Sequence, residues 1–252
     1  MTLDNFIHAF IAIYVLTHIN CAVYTIYIHR AVSHGSMIVH PVLEQIFIFI
    51  LWFTRGFNWP QWRMSYAANH RKHHMYSDKP GDPHSPYEWS IWKLFSNYEN
   101  QDPNGPHYTS REEILKLASD ISPHEFWVEK HIYQKYPRFG LLVCWALFTY
   151  FFSWWGFIIG FSFIAIRKHG GTYVGVWNSH FFGPKFLSSA RTGQSKQSSP
   201  WGILFAGEEV HENHHQDSQN PNFARRWYEF DMGYIYARIF RFFGLIKFAN
   251  DK

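Results

Sequence analysis

Cysteine is almost absent from this chain of 252 residues: there are two, Cys21 and Cys144, each inside an apolar run. Two isolated thiols build no disulfide framework and no cysteine-rich metal motif. Structural zinc on cysteine and a self-contained iron–sulfur cluster are therefore excluded. Charge is scarce too. Asp, Glu, Lys and Arg make up 17% of the residues, and the formal net charge is +4. That excess is too small, and too little clustered, for a nucleic-acid surface, and no nucleic-acid partner is expected. A Rossmann glycine fingerprint, a fused haem module and an internal repeat are also missing. In their place stand aromatic residues, 21% of the chain, which exclude intrinsic disorder. The mean hydropathy of −0.26 confines any membrane part to a fraction of the length.

No Lys, Arg, Asp or Glu occurs from Asn5 to Ile28. That run is long enough to cross a bilayer. No basic residue precedes it and no small-residue cleavage site follows, so it does not read as a signal peptide. A second uncharged run, Phe139–Ile166, is long for one helix, and Trp154-Trp155-Gly156 sits near its middle. A hairpin of two helices is expected there. Membrane segments are thus placed near 5–28, 139–155 and 157–180. Gln45–Thr54 is apolar but short, which suits a helix on the membrane surface or a core helix of a soluble cap. All 23 Lys and Arg residues lie at or after Arg30, and none falls within Phe139–Ile166. With the N-terminus and the hairpin turn outside, every basic residue lies inside, as the positive-inside rule requires. Residues 29–138 and 181–252 then meet as a cytosolic cap. Such a chain is one all-α domain over 1–252, an integral-membrane helical bundle with its cap on the inner face.

Seventeen histidines are present, and eight of them fall into three clusters. These are His29-Arg-Ala-Val-Ser-His34, His70-Arg-Lys-His73-His74 and His211-Glu-Asn-His214-His215. On a helix, positions i, i+3 and i+4 share a face, so each triplet projects its imidazoles together. Within a triplet the adjacent pair is about 100° apart, so one helix could serve two metals. His29 and His34 are about 140° apart on a regular helix and fit better where the helix bends, for which Gly35 is well placed. Neutral imidazole suits Zn, Cu, Ni or Fe. Eight such ligands exceed what one ion needs, and two metals are expected.

These three clusters resemble the histidine boxes of the membrane fatty acid desaturases, in the acyl-CoA desaturase branch. The likeness extends to the flanks, HRKHHMYSDKPGDPHSP over His70–Pro86 and PWGILFAGEEVHENHH over Pro200–His215, and runs from about Tyr27 to the C-terminus. It implies a cap that holds a histidine-ligated dimetal centre of two iron ions on nine histidines. The ninth is His180, in Trp177-Asn-Ser-His-Phe-Phe-Gly183. The family's asparagine stands four residues before that histidine; here Val176 does, and Asn178 is only two before it. The metal set implied is His29, His34, His70, His73, His74, His180, His211, His214 and His215, with no separate catalytic side chain. Glu208, Glu209 and Asp82 are candidates to orient ligand imidazoles. Trp52, Trp59, Trp62 and Trp89 are candidates for an acyl tunnel wall or plain core packing.

The implied reaction inserts a double bond into a fatty acyl chain, as acyl-CoA or acyl lipid, using O2. Electrons come from outside, from a ferredoxin or b-type cytochrome, which Arg71, Lys72 and Lys79 could face. Besides substrate and donor, membrane lipids are the expected partners. The implied location is a bacterial inner membrane or the endoplasmic reticulum, with the site on the cytosolic face. Two other readings stay open. A diiron hydroxylase of fatty acids or alkanes shares similar boxes. His211-Glu212-Asn213-His214-His215 also satisfies HExxH, the motif of a zinc protease, with Glu212 as base.

Overall fold

The uncharged N-terminal run forms helix α1 (Leu3–Val23), whose start is capped by the Thr2 hydroxyl accepting from Asn5 N–H at 3.4 Å. The computed structural model describes residues 2–56, 61–96, 104–105, 108–171, 178–187, 189 and 191–251. From α1 the chain passes without a break into a π-helical stretch, Tyr24–Ser33, and then strand β1 (Met37–Val39). Helices α2 (Pro41–Arg55), α3 (Trp62–Tyr76), α4 (Ile91–Ser96) and α5 (Arg111–Leu117) follow. A short π-helical turn, Glu129–Tyr133, leads to α6 (Phe139–Gly171) and α7 (Asn178–Phe181). The remainder holds β2 (Trp201–Gly202), α8 (His211–Gln216), β3 (Phe230–Asp231), α9 (Met232–Phe242) and β4 (Ile246–Phe248). The protein is thus mostly helical, as expected, with two short strand pairs that the all-α expectation did not include. Antiparallel β1–β4 ties the C-terminal segment to the exit of the π-helical stretch, and parallel β2–β3 ties the segments flanking α8.

Among the described residues, Leu3–Ser33 and Phe139–Ile164 are long and apolar enough to cross a membrane. Burial divides the first of these. Leu3, Ile7, Phe10, Ile11, Tyr14, Val15 and Ile19 are exposed, whereas Asn20, Val23, Ile26, Tyr27 and Ile28 are buried. Withdrawing one such apolar side chain from water is worth about 1.5–3 kcal/mol, so a row of seven left bare points to lipid as its surroundings. The inner half of the same helix packs with Phe47, Leu51 and Trp62 into the main core.

Helix α6 is not continuous. Ser153 takes φ 54° and ψ −137°, one residue before the break expected at Trp154-Trp155-Gly156. The chain folds back there: the Trp145 indole N–H donates to Phe157 O at 2.9 Å, and the two rings lie 4.9 Å apart. The turn of this hairpin meets the start of α1, where the Phe6 and Trp155 ring centroids are 4.9 Å apart. The second leg ends at Gly171 as described; residues 172–177 of the expected segment reaching 180 lie outside the described residues.

Helix α2 extends the apolar run Gln45–Thr54 at both ends. One face buries Leu43, Phe47, Ile48 and Leu51 in the core, and the other leaves Val42, Ile46 and Phe49 exposed. The buried face makes it a core helix, and the exposed apolar face is what a helix on the membrane surface would require. Trp52 and Trp62 are core residues: their indole N–H groups donate to Tyr136 O and the Glu129 carboxylate, each at 2.9 Å. Trp89 donates to Asp82 O at 3.0 Å, and Trp59 lies outside the described residues.

Candidate metal centre

His29 and His34 share a face because of the π-helical stretch. Its i→i+5 hydrogen bonds widen each turn and bring positions five apart closer in angle than in an α-helix, which would splay the pair. Gly35 follows with φ 63°, which supplies the expected bend. The next two clusters sit on α3 and α8, and each parts at its adjacent pair. His70 and His74 face one way and His73 the other; on α8, His214 separates from His211 and His215. Nine histidine nitrogens thus gather into two groups, His29, His34, His70, His74 and His214, and His73, His180, His211 and His215. In each, the nitrogens lie within 4.8 Å of one another.

The spacings are short and regular. In the first group, His29 and His214 Nε2 are 2.8 Å apart, His34 and His70 2.9 Å, and His74 is 3.1 Å from both His70 and His214. In the second, His215 Nε2 lies 3.2 Å from His73 and 3.0 Å from His211. Two nitrogens each about 2.1 Å from one ion sit about 3.0 Å apart at a right angle and about 3.4 Å apart at the tetrahedral angle. The spacing and the five members of the first group fit an ion with more than four ligands.

Carboxylates fix the ring tautomers. His29 Nδ1 donates to Glu208 at 2.6 Å, His73 Nδ1 to Asp82 at 2.8 Å and His180 Nδ1 to Asp78 at 2.9 Å. A carboxylate only accepts, so each of these rings carries its proton on Nδ1 and offers a bare Nε2 lone pair. Several bare lone pairs converging in a buried space repel unless a cation joins them. The buried His180 Nε2 has no hydrogen-bond partner. Both observations fit a metal at each group.

The electrostatics agree. Burial drives His34, His70, His74, His211, His214 and His215 well below the ordinary histidine value, which keeps them neutral and able to ligate. Burial alone would raise the Glu208 carboxyl, but His29, Arg30 and the Thr25 hydroxyl hold it down at about 2. Asp82, also buried, is held well below the usual carboxylate range by His73 and His84.

Of the three acidic residues singled out in the sequence, Glu208 and Asp82 orient histidine rings of the two groups. Glu209 does not: its carboxylate accepts from Phe205 and Gly207 N–H and shapes the turn before α8. Sequence reasoning missed Ser77, 3.1 Å from His215 Nδ1, and Asp78; both follow within four residues of the second cluster, and that nearness was the available signal. Glu212 accepts from Phe186 and Leu187 N–H at 2.9 and 2.7 Å, which occupies the carboxylate that a zinc protease would use as base. His211 and His215 sit among four histidines, one more protein ligand than such a site has. Arg71 and Lys72 are engaged by Asp120 and Glu113, whereas Lys79 is exposed. Val176 and the side chain of Asn178 lie outside the described residues.

No family model matches the chain. Curated proteins do. It is 23% identical over 237 residues to an sn-1 stearoyl-lipid 9-desaturase of Anabaena variabilis, covering 90% of this chain and 79% of that protein. A Synechocystis protein of the same name is 25% identical, over 88% of this chain and 65% of its own length. An acyl-CoA 5-desaturase of Anemone leveillei is 25% identical, over 89% and 67%. These matches run through nearly the whole chain, and with nine histidines gathered as the boxes imply they make it similar throughout to the membrane fatty acid desaturases.

Proposed function

We propose that this chain is a fatty acyl desaturase that uses O2 and externally supplied electrons at a pair of iron ions. His29, His34, His70, His74 and His214 would hold one iron, and His73, His180, His211 and His215 the other. The convergence of nine imidazoles, seven of them buried and two half-buried, into two adjacent groups carries this reading. When bound, the irons supply the oxygen activation and hydrogen abstraction that unactivated C–H bonds demand and that no side chain can provide.

The chain's own residues arrange and protect that site. Glu208, Asp82 and Asp78 hold ring protons on Nδ1 and leave Nε2 free. Phe223 covers the first group: its ring centroid is 4.4 Å from that of His214 and 5.6 Å from that of His29. The histidine groups lie on the cap side of the membrane helices, past the point where α1 becomes buried. The proximity of Phe6 to Trp155 supports placing the N-terminus and the hairpin turn together on the outer side. All basic residues then lie with the cap on the cytosolic side. Lys79 remains available to an acidic electron donor.

Expression in a host of known lipids, with double bonds located by mass spectrometry, tests the reading. A new double bond in an acyl chain and about two irons per purified chain are expected. Hydroxylated acyl chains would instead establish the hydroxylase, and one zinc per chain would refute the diiron assignment. Separate analysis of the acyl-CoA and lipid pools identifies the acyl carrier.

A further inference from the structure

We infer that Asp78 is the positioning residue for His180 and so determines whether the second metal site fills, an inference that rests on the diiron reading. His180 belongs to α7, a helix of four residues, too short to fix a side chain by its own ladder. Contacts from other segments do so. Asp78 Oδ2 accepts from His180 Nδ1 at 2.9 Å and from Gln194 N–H at 2.7 Å, while Oδ1 accepts from the Ser85 hydroxyl at 2.7 Å. The Asp78 side chain is 2% exposed, and three donors satisfy it. One carboxylate therefore joins the turn after α3, the segment at 194 and the ninth histidine.

The backbone is bent to achieve this. Asp78 has φ 58°, a left-handed conformation that a residue with a Cβ keeps only where the surroundings enforce it. Gly193 permits the close approach: a Cβ there would lie 2.8 Å from both Asp78 Oδ2 and Ser77 O. The same turn serves the rest of the second group, through Ser77 at His215 and Asp82 at His73. Three of its four histidines are thus oriented from residues 77–82. No bond from this turn to a histidine of the first group is found among the described residues, where the orienting carboxylate is Glu208. The two groups share α3 and α8 but have separate orienting carboxylates, and Asp78 acts on one of them.

The test compares Asp78→Ala and Asp78→Asn with the parent and with Asp251→Ala, a surface change at the Arg241 pair. Iron per chain is measured by mass spectrometry on folded, monodisperse protein, and each iron is resolved by Mössbauer spectroscopy. The parent and Asp251→Ala should hold two irons, and Asp78→Ala one, with the remaining signal matching one parental site. Asparagine keeps an acceptor for His180 but loses the charge, so Asp78→Asn should bind the second iron about 10–100-fold more weakly. Should Asp78→Ala fail to fold, Asp78→Asn carries the test alone. Two irons at parental affinity in both variants would overturn the inference, and so would equal loss of both irons. A parent without two irons overturns the diiron reading and this inference together.

Discussion

Nε2 of His29 and Nε2 of His214 lie 2.8 Å apart, although 185 positions separate them in the chain. Such proximity requires the π-helical stretch and α8 to be clamped together, and the clamp is next to His29. Arg30 is fully buried, bonded to Asp231 at 2.7 Å and to Pro221 O at 3.0 Å, with its guanidinium 3.6 Å from the Phe223 ring centroid. The first basic residue of the chain is therefore a structural tie rather than a surface charge.

Breaking that tie should be severe. Removing one partner of a buried ion pair leaves the other charge unpaired and costs about 3–5 kcal/mol. Arg30→Met and Asp231→Asn should each lower the thermal midpoint sharply and release iron from the group containing His29. The double variant should recover part of the loss. Single variants with a parental midpoint would show that the pair contributes nothing.

Replacing the proposed ligand histidines should distinguish the two groups. His214→Ala and His211→Ala should each reduce desaturation to below about one tenth of the parent, through weakened metal retention. The iron signal lost should differ: the site of His29 in the first variant and that of His180 in the second. Loss of the same signal in both would contradict the division.

Glu212 makes the opposite forecast to that of a protease base. Its buried carboxylate holds Phe186 and Leu187 N–H, so Glu212→Gln should remove acceptor capacity and cost about 1–3 kcal/mol of stability. Folded variant should retain both irons and turn over within a few-fold of the parent. Complete loss of activity in stable, iron-replete protein would give Glu212 a chemical role.

Acid should act on the metal-free protein first. Burial holds His70, His74, His211, His214 and His215 neutral in the folded state, below the value of about 6.5 that they regain on unfolding. The unfolded chain then binds more protons as pH falls below about 6.5, and folding stability declines toward the lowered folded values. Thermal midpoints of metal-free protein should therefore drop between pH 7 and 5. Iron-loaded protein should resist, because the ions occupy the lone pairs that protons would take. Parallel curves for the two forms would refute this.

Much of this site was legible in the sequence because helix geometry is local. The i, i+3, i+4 spacing of His70, His73 and His74 specifies a shared face, and the angle between His73 and His74 foreshadows their parting. His29 and His34 were less legible, since a spacing of five looks splayed until the helix widens to a π-helix. The role of Asp78 was hidden for a different reason: nearness to the second cluster singles it out, but its partner His180 is 102 positions away, and only the folded chain sets them 2.9 Å apart. The hairpin was readable from the length of its uncharged run. Its turn residue was not, because Ser153 carries no signature of a left-handed φ.

Under the proposed membrane-spanning topology, the hairpin has a consequence for the bilayer itself. Its first leg, Phe139–Phe152, rises only about 21 Å at 1.5 Å per residue, against a hydrocarbon core of about 30 Å. A span that short is accommodated when the surrounding lipid thins to meet it, at a cost that grows with each ångström of mismatch. If thinning is the response, a protein built this way would be solvated best by short or unsaturated acyl chains, which make thin membranes. Its own product would then improve the fit of the membrane around it.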